Sequence, residues 1–103
     1  MEPEVTVEHV AAQRRWVINA GGRPVGFAAY REEPGTVVIT HTEIDPASGG
    51  RGFGTQLVVA ALDDARRREL AVVPLCTFVR DYIAGHAGHL DLVPAERREA
   101  FGL

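Results

Sequence analysis

The residues with the clearest chemical promise open one stretch of the chain, Gly49 to Glu69, GGRGFGTQLVVAALDDARRRE. Gly49, Gly50, Gly52 and Gly54 crowd its start, and no further Gly or Pro appears before its end. A glycine loop that feeds a helix aims several backbone N–H groups and the positive helix end at one point. With no Cβ in the way the backbone can approach a ligand closely, and phosphate is the usual guest. The bland alternative is a flexible turn that caps a surface helix. Spacing removes two other phosphate cradles. Gly49 and Gly54 have the Walker separation, but Thr55 stands where the lysine of GxxxxGK[ST] must be. Gly50 and Gly52 begin a dinucleotide pattern, but Thr55 again holds the place of the third glycine, and a βαβ repeat has little room here.

Cys76 is the second candidate. It ends an apolar run and starts a helical pattern, and a helix N-terminus favours the thiolate. A thiolate there can attack an acyl carbonyl; the competing reading is inert packing. His41 and Glu43 lie two apart in a strand, so they share a face. Either can act as a general base, for Cys76 among other groups, or the pair is simply a solvated rim of the sheet. Tyr82, Trp16 and Phe27 read first as core. His86 and His89 are the only close histidines, and they fall in a glycine-rich turn, so no metal site is expected.

The elements that must position these groups are short. Val5 to Val10 and Arg15 to Ala20 read as strands, the second rich in pleat-favouring Trp16, Val17 and Ile18. Gly21 and Gly22 supply a hairpin turn, and Pro24 to Tyr30 returns. Glu32 to Gly35 turns the chain again, and Thr36 to Ile44, TVVITHTEI, is the strongest strand. After the glycine loop, Leu57, Val58, Ala61, Leu62 and Ala65 recur at helical period. Ala71 to Leu75 reads as a buried strand beside the fourth. Pro74 cannot donate to a ladder, which predicts that the two strands part there. Thr77 to Ala84 reads as a short helix, and Pro94 to Phe101 as a last helical turn or two. The fold class is therefore α+β: an antiparallel meander, a glycine loop with its central helix, a splayed parallel strand and a short helix.

Composition narrows the setting. The chain has 103 residues, enough for one core, so a single domain over residues 1–103 is expected. A net charge of −3 gives no basic footprint for nucleic acid. No apolar run approaches the ~20 residues that span a bilayer, and the acidic start MEPEVTVEH has no signal-peptide profile. One cysteine cannot form an internal disulfide and fits a reducing cytoplasm.

Taken together, the motifs resemble the GNAT superfamily of N-acetyltransferases. Gly52 and Gly54 fill the glycine positions of its pyrophosphate loop, [QR]xxGxG/A, with Gly49 where the superfamily has Gln or Arg and Arg51 two residues on. The likeness is greatest to a small single-domain branch, through Thr40-His41-Thr42-Glu43-Ile44, Val72 to Cys76, Phe78, Tyr82 and Ile83. It runs from about Trp16 to Val93, and departs at Ala87-Gly88-His89, where that branch has a proline-led turn. The resemblance implies acetyl-CoA as cosubstrate and an amine acceptor that it does not name. It implies that the amides of Arg51, Gly52, Phe53, Gly54 and Thr55 hold pyrophosphate, and that Ile44 and Cys76 flank the rest of the cosubstrate. It also implies an acetyl-cysteine intermediate on Cys76 and Tyr82 as a proton donor to the departing thiolate. A non-enzymatic CoA-binding module is the alternative, and the oligomeric state is left open.

Overall fold

In the computed structural model, residues 4–103 are described. The acidic N-terminal reading falls in part on residues 1–3, outside them. Four antiparallel strands come first: β1 (Val5–Val10), β2 (Arg15–Ala20), β3 (Arg23–Glu33) and β4 (Thr36–Ile44). Gly21 and Gly22 join β2 to β3 with φ of 60° and 78°, the two positive values that a type I′ hairpin turn needs. Pro34 and Gly35 join β3 to β4. Helix α1 (Phe53–Arg67) then crosses to β5 (Ala71–Pro74), which lies parallel to β4. The sheet order is β1-β2-β3-β4-β5.

The α1 stripe packs as its period dictates. Phe53, Leu57, Val58, Ala61, Leu62 and Ala65 are all buried, against Trp16, Ile18, Ala28, Tyr30, Val37 and Ile39 of the sheet. Helix α2 (Thr77–Gly85) adds Val79 and Ile83 to the same core. Trp16 sits in this core as expected. Phe27 does not: its β2 partner is Val17, and the Arg15 guanidinium lies 4.1 Å over its ring, on the opposite face of the sheet.

Two differences from the expected elements have local causes. The tail from Pro94 to Phe101 forms two separate 3-10 turns, Ala95–Arg97 and Glu99–Phe101, in place of one continuous helix. A segment this short cannot repay helix nucleation. Strand β3 runs three residues past Tyr30, because Arg31, Glu32 and Glu33 keep pairing with Val38, Val37 and Thr36. Among the described residues no helix is long and apolar enough to cross a membrane.

Candidate functional site

The site begins where β4 and β5 separate. Their ladder runs from Thr36 opposite Ala71 to Ile39 opposite Pro74. One more bond follows, Cys76 N–H to the Ile39 carbonyl at 3.0 Å, and the chain then turns into α2 with Cys76 as its N-cap. Strand β4 continues for five residues, Thr40 to Ile44, with no β5 residue paired to them. Pro74 ends the ladder because it brings no N–H. The result is a wedge with backbone polar groups along its β4 side, which a ligand with amides could satisfy.

A bulge decides which side chains look into the wedge. Ala29 pairs with His41 and Tyr30 with Ile39, so Thr40 is an extra residue in β4. One extra residue reverses the alternation beyond it. Without it, His41 and Glu43 would follow Val37 and Ile39 onto the α1 face. With it, Thr42 and Ile44 take that face, opposite Ala28 and Gly26. Thr42 Oγ1 lies 3.4 Å from Cys76 Sγ, and Ile44 packs at the margin of the core. His41 and Glu43 turn to the other face, where their side chains meet at 3.3 Å and the His41 ring lies 5.9 Å from Phe27. So the two predicted bases are brought to each other, and the side chain that touches Cys76 is Thr42, which the sequence did not single out. Its place in the Thr40-to-Ile44 motif assigns it no role, and strict alternation along TVVITHTEI gives it the wrong face.

The glycine loop stands at the β4 end of the wedge. Gly52 is the N-cap of α1, in the left-handed region at φ 76°, and no side chain caps the helix. Its first turn also contains no acidic residue. The positive helix end is therefore uncompensated by the protein, which suits an anionic guest. A Cβ at Gly52 would meet nothing within 4 Å, so the loop is open on that side. Gly54 is the more crowded position. Its Cβ would come 2.9 Å from Cζ of Phe78, so this glycine admits the first turn of α2, and the space it frees is already filled. Phe53 is buried and anchors the helix start, and Arg51 is exposed in the loop. Leu75 and Phe78, each 46% exposed, flank Cys76 at the mouth of the wedge.

Tyr82 is not brought to Cys76. It lies six residues along α2, about 9 Å by helical rise. Its ring stacks on His86 at a centroid distance of 4.0 Å, and His89 lies 5.5 Å away. Those two histidines thus brace α2, and no cluster of metal-ligand type forms among the described residues.

A concavity of about 550 Å³ lies elsewhere, between β1 and α1, lined by residues that include His9, Asp63 and Asp64. The Asp64 carboxylate there is already occupied by Trp16, Arg67 and Arg68, and the groove's lining includes no thiol. The wedge has the chemistry.

A meander ending in a parted parallel pair, with an uncapped glycine-led helix beside the gap, defines the acetyltransferase class of α+β fold. The sequence agrees: GCN5-related N-acetyl-transferase matches residues 15–92, and the chain belongs to that family. Among solved structures, the solution structure of a GCN5-like candidate N-acetyltransferase from Staphylococcus aureus shares the fold. It has a TM-score of 0.66 at 20% identity, over 90% of this chain and 89% of that one. No curated protein matches.

Proposed function

We propose that this chain is an acetyl-CoA-dependent N-acetyltransferase for an amine acceptor, with Cys76 carrying the acetyl group between donor and acceptor. The observation that carries the reading is the wedge, a break in the β4–β5 ladder that ends at a cysteine and leads to an uncapped helix N-terminus. In this reading the pantetheine amides bond the free β4 edge between Thr40 and Ile44. The pyrophosphate rests on the amides of Arg51 to Thr55, with the Arg51 guanidinium adding charge.

The chemistry then runs in two balanced steps. The Cys76 thiolate attacks the acetyl carbonyl, the thioester C–S bond breaks, and CoA leaves as a thiolate that takes a proton from water, Tyr82 lying too far along α2 to supply it. A neutral amine then attacks acetyl-Cys76, the C–S bond to Cys76 breaks, and the extra proton on nitrogen passes to the His41–Glu43 pair. The acceptor approaches from the face that carries His41, Glu43 and Phe27, and CoA comes along the β4 edge. A working thiol needs a reducing compartment, the cytoplasm in this reading.

Incubating the protein with acetyl-CoA alone and weighing the intact chain tests this. An acetyl adduct that maps to Cys76 and is missing in Cys76→Ala is the expected result. An unmodified mass, with Cys76→Ala still transferring acetyl groups at full rate, would reject the carrier and leave direct transfer. CoA binding without transfer to any amine would make the chain a CoA-binding module.

A further inference from the structure

We propose that Thr42 is a positioning residue for Cys76: its hydroxyl holds the sulfur at the tip of the wedge and supports it in both protonation states. The inference rests on the reading of Cys76 as the acetyl carrier. Three observations support it. Cys76 Sγ lies 3.4 Å from Thr42 Oγ1, across 34 positions of sequence, and both residues are half-buried. Among the described residues, this is the one side-chain hydrogen bond that either group makes. The contact also exists only because the Thr40 bulge turns Thr42 to the α1 face and sends His41 and Glu43 to the other.

A hydroxyl suits the place because it is both donor and acceptor. While the cysteine is a thiol, its S–H donates to Oγ1. Once the proton has left, the hydroxyl rotates and donates its own O–H to the sulfur, a charge-assisted bond that is stronger than the neutral one. Neither His41 nor Glu43 contacts the sulfur, because they bond each other at 3.3 Å on the opposite face. Thr42 is then the protein group that steadies the thiolate and fixes the sulfur's direction as it forms and loses its bond to the acetyl carbon.

Alkylation of Cys76 by iodoacetamide, followed by intact mass over a pH series, tests this without any acetyl-CoA. Thr42→Val keeps the branched shape and removes the hydroxyl; Thr42→Ser keeps the hydroxyl. The expected result for Thr42→Val is a rate near neutral pH lower by about tenfold, with the whole profile moved to higher pH. Thr42→Ser should restore both. Should the Val variant fail to fold, Thr42→Ala, compared with Thr42→Ser, reads the same difference. Coincident profiles for wild type and the hydroxyl-free variant would overturn the proposal, as would a Ser variant that behaves like Val. Should the profiles separate while acetyl-CoA leaves no adduct, Thr42 still governs the thiol and the acetyl-carrier reading is the one that fails. An adduct that forms equally fast at every pH in wild type and Thr42→Val keeps the carrier and removes Thr42.

Discussion

The Asp64 carboxylate on α1 accepts hydrogen bonds from Trp16 Nε1 at 3.1 Å, Arg67 at 3.2 Å and Arg68 at 3.1 Å. Burial pushes its carboxyl up, and the bonds from Trp16, Arg68 and Arg67 outweigh that, so the group sits below its ordinary value. Nearby, His9 bonds the Tyr30 hydroxyl at 2.6 Å and stacks on Trp16, which ties edge strand β1 to the same cluster. A folded-state value below the unfolded one means that the stabilisation is complete above the ordinary carboxylate range. It is lost as pH falls through the folded-state value. Asp64→Ala should therefore cost about 1–3 kcal/mol at neutral pH, mostly by leaving the Trp16 N–H without its acceptor. Urea unfolding at several pH values checks this: the gap between wild type and variant should narrow in acid. A gap that stays constant would assign the effect to packing alone.

At the scale of elements, three glycines do three different jobs, and substitution by alanine separates them. Gly26 lies where β3 meets the end of β4, and a Cβ there would come 2.6 Å from the Glu43 carbonyl oxygen and 2.5 Å from Ile44 Cδ1. A strand backbone cannot step aside, so Gly26→Ala should cost about 1–3 kcal/mol and loosen the end of β4 beside the wedge. Gly52 has open space but a φ of 76°, so Gly52→Ala should cost about 1 kcal/mol and fall hardest on CoA affinity. Gly54 faces only the far end of the exposed Phe78 ring, which can swing away, so Gly54→Ala should change stability by less than about 0.5 kcal/mol. Thermal melts with CoA calorimetry read all three. Equal losses of binding and stability in Gly52→Ala would mean that the loop is structural. The sequence made Gly52 and Gly54 alike, since both fill the motif. Only the approach of α2 from far along the chain tells them apart.

For the whole molecule, the wedge and the uncapped helix end leave stabilisation to be supplied by a ligand. At a hundredfold excess over its dissociation constant a ligand adds about 2.7 kcal/mol to folding stability. For a domain of this size that corresponds to a rise in Tm of roughly 10 °C. CoA should produce such a rise, and Gly52→Ala should lose most of it. A melting curve that CoA leaves unmoved would remove the cosubstrate from the proposed function.

The sequence by itself determined the order of elements, because each is written in local chemistry. The Gly21–Gly22 turn, the β-branched run of β4, the stripe on α1 and the stop at Pro74 depend on near neighbours in the chain. It also identified the glycine loop and Cys76 as the places to look, since both stand at element ends whose geometry follows from their residue types. It did not determine which side chains meet. The bulge at Thr40 arises from the pairing of β4 with β3, a contact between distant parts of the chain, and one inserted residue reverses every face beyond it. That single irregularity moves Thr42 to Cys76 and turns His41 and Glu43 to the opposite side. The periodicity of a lone strand contains no record of its partner's register, so these choices belong to the tertiary structure.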